Sequence, residues 1–435
     1  MTSLLVRPPV LNAPTIKQLP NGAIAIAEQM PVAAVNFNLW FHVGSAWEPD
    51  EINGMAHFLE HMVFKGTERL ESGEFERAIE GRGAVTNAAT SQEYTHYYIT
   101  AAPQDFADLA PLQLDVVFNS SIPDAAFEKE RLVVLEEIRR AEDNPRHRTF
   151  QRAMALGFAS LPYRRPVLGT AAVIEQLTPQ QMRDFHAQWY RPPSLTAVVV
   201  GNLPTEQLLD IVAENLDQTD YLPLSVSSPP RVSACPYLPL PEPPFEDIQR
   251  QEWEDEGLQQ ARLVMLWRVP GLQQLSETYA LDVIAAVLGR GKMSRLFRDL
   301  REDRGLVSHI SASNLTQAIQ GVFYISAQLP TANAPAVEAA VQQHLRQLQA
   351  ESISAAELAR IRTQVANHFI FGNERPSDRA NLYGYYYSQL GDLEPALTYP
   401  DRLQSLTRED IQAAVRRYLS ADAYGIALMK PRSSI

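Results

Sequence analysis

The stretch Gly54-Met55-Ala56-His57-Phe58-Leu59-Glu60-His61-Met62-Val63-Phe64-Lys65-Gly66-Thr67 decides how the rest of the chain is read. As a helix, it puts His57 and His61 one turn apart on one face. Two imidazoles at that spacing can hold one metal ion, and Glu60, directly before the second histidine, borders the same site. The order is that of H-E-x-x-H reversed. A single histidine on an apolar helix face is ordinarily a satisfied core residue. The reading therefore needs a third ligand and a substrate site elsewhere in the chain.

Working outward, residues 16–28 read as a strand, a Pro20-Asn21-Gly22 turn and a second strand, the Asn-Gly pair being a hairpin signal. Val35 to Val43 alternates as a strand with Val35, Phe37, Leu39 and Phe41 on one face. The histidine helix runs from about Asn53 to Val63. Another helix, Glu74 to Gly81, leads into two strands, Ala84–Thr90 and Tyr94–Ala101. Helices then cover about 104–119, 124–142, 148–158, 170–175 and 179–188, the second of them stopping before Asn144-Pro145. Leu195–Val200 reads as a buried strand.

A catalytic metal takes three protein ligands and keeps one position open. The helix over 124–142 offers Glu128, Glu130, Glu136 and Glu137. Glu130 and Glu137 are two turns apart on one face, with Leu132, Val133, Leu135 and Ile138 supplying apolar surface around them. A half-buried glutamate pair is costly without a cation beside it. Glu128, Glu136, Arg139 and Arg140 read as a solvated face. The spacing does not choose between Glu136 and Glu137.

The chain has 435 residues and 45% apolar composition, which suits a globular protein of more than one domain. Its formal net charge of −13 argues against nucleic acid or an anionic membrane as partner. The single cysteine, Cys235, permits no intrachain disulfide and fits a reducing compartment. The first residues carry no apolar signal-peptide core and no run approaches a membrane span, so a cytoplasmic protein is expected. Residues 222–246 hold eight prolines and read as a linker between an N-terminal half, 1–221, and a C-terminal half, 247–435. The later half weakly repeats the earlier one. Leu177-Thr178 and a helix ending at Tyr190 match Leu406-Thr407 and a helix ending at Tyr418, each followed by a strand. Tyr279 and Val283 fall near the positions of the two histidines, so one chain offers one metal site. The expected fold is α+β, with two homologous αβ-roll halves built from mixed or antiparallel sheets flanked by helices.

His57-x-x-Glu60-His61 followed by Glu130 and Glu137 resembles the pitrilysin or insulinase-type metallopeptidases, inverted zincins. More narrowly, the chain looks like their mitochondrial-processing-peptidase-like bacterial branch. Val43-Gly44-Ser45, Asn87-Ala88, Pro162-Tyr163, Pro166-Val167-Leu168-Gly169 and Ser294-Arg295-Leu296 extend the likeness over nearly the whole chain. The resemblance implies Zn2+ held by His57, His61 and Glu137, Glu60 as general base, and Glu130 as a support that orients a group near the metal. It also implies an endopeptidase that takes a peptide or unfolded polypeptide as an added strand on the edge Thr86–Thr90, where Asn87 and Ala88 meet the substrate backbone, inside an enclosed cavity.

One position departs from the family pattern. The family carries an Arg and, seven residues later, a Tyr that reach the substrate. Here Arg301 is present and the Tyr position is Ser308. The resemblance therefore favours a heterodimer, with this chain as the zinc-carrying subunit and a related chain bringing the Arg/Tyr pair. A chain that works alone or as a homodimer, with weaker oxyanion support, is the alternative. The rival from another class is a non-catalytic structural or peptide-binding subunit of a processing-peptidase-like complex, against which the intact His57, Glu60, His61 and Glu137 stand.

Overall fold

The structure, a computed structural model, describes residues 13–218 and 240–432. Cys235 and most of the proline-rich 222–246 stretch lie outside the described residues. Eleven strands are β1 (Thr15–Gln18), β2 (Ile24–Gln29), β3 (Val35–Phe41), β4 (Val85–Thr90), β5 (Thr95–Ala101), β6 (Leu195–Gly201), β7 (Ile248–Asp255), β8 (Ala261–Pro270), β9 (His309–Leu315), β10 (Gln320–Leu329) and β11 (Tyr424–Pro431) among the described residues. The α-helices of the earlier half are α1 (Met55–Met62), α2 (Glu74–Gly81), α3 (Phe106–Phe118), α4 (Asp124–Asp143), α5 (Pro145–Gly157), α6 (Ala171–Ile174), α7 (Pro179–Trp189) and α8 (Thr205–Gln218). Those of the later half are α9 (Leu275–Gly289), α10 (Ala334–Ala350), α11 (Ala355–Phe371), α12 (Pro376–Leu390), α13 (Glu394–Ser405) and α14 (Arg408–Tyr418).

The strands form two sheets, ordered β1-β2-β6-β3-β5-β4 and β7-β11-β8-β10-β9. Leaving out β1, both sheets follow one rule. Numbering five strands by their place in the chain, each sheet runs first, fifth, second, fourth, third. In each, the first and fifth strands are parallel and the rest antiparallel. The duplication expected from the sequence is thus present in the topology. The expected Asn-Gly hairpin joins β1 to β2, with Gly22 at φ 89°.

The compact units are interleaved along the chain. The first takes Met1–Arg139, Pro166–Pro236 and Ile370–Leu397; the second takes Arg140–Arg165, Tyr237–Phe369 and Thr398–Ile435. These bounds differ from the contiguous halves 1–221 and 247–435, and the reason is burial on both faces of each sheet. In the first sheet, Phe37, Leu39 and Phe41 face one core while Trp40, Ile24, Ile26, Val198 and Val200 face another. That second face is covered by α12, which packs on β3 and β6. In the second unit α5 has the same task, covering β8 and β11. Residues 240–246, the described end of the expected linker, belong to the second unit. There Glu242 accepts the backbone N–H groups of Ala159, Ser160 and Leu161 at 2.7–2.9 Å.

Contact between α12 and the first sheet is close. A methyl group on Gly384 would fall 2.0 Å from Trp40 Nε1. This explains a glycine in mid-helix, which otherwise costs about 1 kcal/mol against alanine. Around it, Asn38 Nδ2 donates to Asn381 Oδ1 at 2.7 Å, and Arg379 and Tyr383 donate to the buried Glu28 carboxylate, each at 2.8 Å. Gly384→Ala should therefore destabilise the protein by about 1–3 kcal/mol through overpacking. Urea unfolding followed by tryptophan fluorescence checks this, and an unchanged midpoint would contradict the close packing.

His96 lies under the same helix, stacked on Trp40 at 4.2 Å and hydrogen-bonded through Nδ1 to Asn38 Oδ1 at 3.0 Å. Burial holds its pKa down at about 4, against the ordinary 6.5. The unfolded chain therefore takes up a proton that the folded chain refuses, and stability falls as pH drops from 6.5 toward 4. His96→Gln should flatten that part of the pH dependence of the unfolding midpoint; an unaltered slope would remove His96 as its source.

Candidate metal centre

The local sequence explains why α1 presents three polar groups together. Met55, Phe58, Leu59 and Met62 are buried and lie at i, i+3, i+4 and i+7, the core stripe of a short helix. His57, Glu60 and His61 occupy the other face. The helix start is fixed from outside. Gly54 sits at φ 100°, and a Cβ there would come 2.6 Å from the Leu168 carbonyl oxygen. Gly169, at φ 73°, would in turn meet the Asn53 carbonyl oxygen at 2.2 Å. The two glycines allow backbone to touch backbone at the end of α1. Glu48 supplies the cap: its carboxylate accepts Gly54 N–H at 2.7 Å, Ala56 N–H at 2.6 Å and Asn53 Nδ2 at 3.0 Å.

Helix α4 is set against α1 by Phe127, whose ring stacks on Phe58 at 4.5 Å. Phe127, Val134 and Ile138 are its buried residues, and Glu130 and Glu137 flank that stripe. Leu132 and Val133, expected to surround the glutamates, are 68% and 50% exposed and face solvent. Leu132, two residues past Glu130, lies on another face, and Val133, a helical neighbour of both glutamates, sits on their solvent side, away from the buried Phe127–Val134–Ile138 stripe.

Glu137 Oε2 lies 3.5 Å from His57 Nε2 and 3.4 Å from His61 Nε2. These three donor atoms lie within 4.8 Å of one another. Two atoms each about 2.1 Å from one tetrahedral ion are about 3.4 Å apart. The separations therefore match ligands converging on a shared cation better than direct hydrogen bonds, which are near 2.9 Å. Two imidazole nitrogens and one carboxylate oxygen also form the donor set of an open catalytic zinc site. Glu136 is not part of this convergence; it pairs with Arg139 at 3.4 Å.

Glu130 does not reach the donor cluster but acts on it. Its Oε1 is 3.0 Å from His61 Nδ1, and its Oε2 is 2.7 Å from Lys65 Nζ. Burial alone would raise the Glu130 pKa, but the hydrogen bonds from Lys65 and His61 outweigh it and hold the carboxyl below its usual range. An ionised Glu130 accepts the Nδ1 proton and leaves Nε2 of His61 as the free donor. For His61, burial opposes protonation, while Glu137 and Glu130 outweigh it and raise the pKa. The neighbouring imidazoles, His57 first and then His61, hold Glu137 far below the usual carboxylate range.

Glu60 points the same way as the histidines. Its Oε2 accepts a 2.5 Å hydrogen bond from Thr90 Oγ1, at the end of β4. Asn87 and Ala88 lie on that strand, which among the described residues pairs only with β5 and so stands at the sheet edge. Asn87 Oδ1 folds back to accept the Ala88 N–H at 2.9 Å. Arg301 belongs to the second unit, in a π-helical segment Phe297–Asp303, with its guanidinium over the Phe297 ring at 4.7 Å. Ser308 donates to Gln260 Oε1 at 2.8 Å and lies 3.1 Å from the Gln328 carbonyl. Sequence reasoning missed Glu48 and Thr90. Glu48 follows no spacing rule relative to α1, and only the Thr90 position at the end of an edge strand could have drawn attention to it.

Residues 23–171 match the profile described as Insulinase (Peptidase family M16), and residues 176–365 match the profile described as Peptidase M16 inactive domain. The chain belongs to this pitrilysin/insulinase-type family. A Mycobacterium tuberculosis protein named an uncharacterized zinc protease is 29% identical over 98% of this chain and 95% of its own length. The crystal structure of a protease from Helicobacter pylori superposes with a TM-score of 0.89 at 25% identity, covering 96% of this chain and 99% of that one. A Pseudomonas fluorescens structure described as a peptidase M16 inactive domain shares the fold, with a TM-score of 0.85 at 19% identity over 98% of this chain and 99% of that one.

Glu130→Gln keeps all three donor atoms but removes the anionic acceptor for His61 Nδ1–H. Zinc affinity should fall by about 10–100-fold, measured by competition with a chromogenic chelator. Unchanged affinity would mean that Glu130 does not orient His61.

Proposed function

We propose that the chain is a zinc-dependent endopeptidase that hydrolyses peptides or unfolded polypeptides. The observation that carries this reading is the convergence of His57 Nε2, His61 Nε2 and Glu137 Oε2, with Glu60 on the same short helix, three residues after His57 and directly before His61. His57, His61 and Glu137 would hold the ion, which when bound lowers the pKa of water and polarises a carbonyl.

The chain's own residues supply the rest. Glu60 takes the proton of the attacking water and returns it to the leaving amine. The Thr90 hydroxyl occupies Oε2 and leaves Oε1 of Glu60 as the proton acceptor. Glu130 and Lys65 keep His61 in the tautomer that offers Nε2. An extended substrate adds to the open edge of β4, where it displaces the Asn87 side chain from the Ala88 N–H. Pairing through the main chain gives affinity with loose sequence preference.

The Ser308 hydroxyl, engaged with Gln260 and the Gln328 carbonyl, is too short for the reach of the family tyrosine. This supports a shared active site, with a related chain contributing the Arg/Tyr pair and a homodimer as the alternative.

Two measurements test the proposal. Glu60→Gln should retain zinc and lose turnover of a quenched-fluorescence peptide on the order of 10²–10⁴-fold. Turnover that survives would remove Glu60 as the base, and an unmodified protein without stoichiometric zinc would favour the non-catalytic subunit. For the shared site, the isolated chain should be slower than the complex with its co-purifying partner by on the order of 10²–10³-fold, the loss of one transition-state donor. Full activity of the chain alone, slowed strongly by Arg301→Ala, would overturn the shared arrangement.

A further inference from the structure

Among the described residues, the second sheet is only half covered on the face that α5 packs against. Helix α5 lies over β8 and β11, and beyond it the adjoining face of β10 and β9 lines a cleft. Strand register shows what that face carries. Arg262, Gln328 and His309 stand side by side across β8, β10 and β9, and the next row is Val264, Ser326 and Ser311. Apart from the buried Val264 of β8, the rows are polar where a covered sheet would be apolar. With the first turn of α5 they enclose a cleft of about 640 Å³, within the range of roughly 300–1,000 Å³ typical of ligand sites. Phe150 of α5 meets Tyr324 of β10 at 5.2 Å along its wall.

The charge in this cleft is one-sided. Arg146 and His147 enter from the first turn of α5, Arg262 from β8 and His309 from β9, and no carboxylate lines it among the described residues. The protein as a whole carries 51 acidic residues against 38 lysines and arginines, so a cationic cleft without an acid runs against its composition. Nε of Arg262 is buried and has no hydrogen-bond partner among the described residues. Burial and the neighbouring charge of Arg146 both push the Arg262 pKa down. Two guanidiniums that repel one another in a walled cleft are an arrangement that an anion stabilises. Asn144 caps α5 with its own Oδ1, accepting Arg146 N–H at 3.0 Å and His147 N–H at 3.3 Å. The helix end is thus satisfied, and the demand for an anion comes from the side chains.

We propose that the cleft between the first turn of α5 and the β8–β10–β9 face is an oxyanion-binding site that takes the carboxylates of an acidic peptide segment, with Arg262 and Arg146 as its charged contacts. The proposal rests on the peptidase reading for its choice of a peptide as the carrier. The polar rows of serine, glutamine and histidine suit a peptide laid across the sheet, since they supply both donors and acceptors to its main chain. An inorganic anion such as phosphate shares the same guanidinium chemistry and is the other source to separate.

Binding can be read without turnover. In the full chain carrying Glu60→Gln, fluorescence anisotropy would compare a fluorescein-labelled Glu-rich peptide with its Gln-for-Glu, C-terminally amidated counterpart. The acidic peptide should bind at least about tenfold more tightly, and Arg262→Gln and Arg146→Gln should each remove most of that preference. Arg262→Lys, which keeps the charge but loses the planar fork, should lose less of the preference than Arg262→Gln does. Arg146 lies in the first turn of α5, so its variant stays informative if Arg262→Gln fails to fold. Adding His61→Ala, which removes a metal donor, should leave the acidic preference intact. This separates failure of the cleft from failure of the metal site. Equal binding of the two peptides, or a preference that both arginine variants preserve, would overturn the proposal. Inorganic phosphate that stabilises the protein through Arg262 and Arg146, while acidic peptides do not bind, would overturn the peptide assignment in favour of a small anion.

Discussion

Three donor atoms from two helices must sit about 3.4 Å from one another for a tetrahedral ion to join them, and the first unit is arranged around that requirement. A misplacement of 1 Å in either helix would break it. Helix α1 is short, so its position rests on the Glu48 cap, the Gly54–Gly169 backbone contact and a fully buried apolar stripe. Helix α4 is set against it by the Phe58–Phe127 stack. The His61–Glu130–Lys65 chain then orients one imaidazole ring, so that electrostatics finishes what packing begins.

The duplicated topology shows what distinguishes the metal-bearing half. In the second unit α9 occupies the place of α1, and its Tyr279 and Val283 are buried core residues where α1 has histidines. Asp282, between them, is tied to the edge strand β9 through Asn314 at 2.9 Å, much as Glu60 is tied to β4 through Thr90. An acid on the helix bonded to the edge strand is therefore a shared architectural element. Burial raises the Asp282 pKa, and Tyr399 closes its other oxygen at 2.9 Å, so this acid is held as a structural group. Among the described residues, only the first unit sets this acid beside two histidines.

Much of the site was legible in the sequence because it depends on local spacing. His57, Glu60 and His61 share a face by helical period, and the core stripe at Met55, Phe58, Leu59 and Met62 fills the opposite face. The choice of Glu137 over Glu136 needed the resemblance, since one residue of helical rotation separates a converging carboxylate from one paired with Arg139. Leu132 and Val133 misled because apolar residues on α4 suggest burial, while the buried stripe runs through Phe127, Val134 and Ile138. Least legible were the relations between distant segments. Nothing local to residues 376–390 says that Gly384 will lie against Trp40, and nothing in 145–157 says that this helix will cover β8 and β11. Helices α8 and α10–α13 and strands β7 and β8 also escaped reading, the two strands hidden by the polar run in 248–255 and the long apolar run in 261–270.

The account turns on whether Glu137 completes a zinc site with the two histidines. Metal analysis and zinc-edge X-ray absorption of the purified protein, alone and with Glu137→Gln, test this most directly. The account predicts one zinc per chain with nitrogen and oxygen ligands at about 2.0–2.2 Å, and a weakened, altered site in the variant. Absence of stoichiometric zinc, or an unchanged ligand sphere after Glu137→Gln, would contradict it.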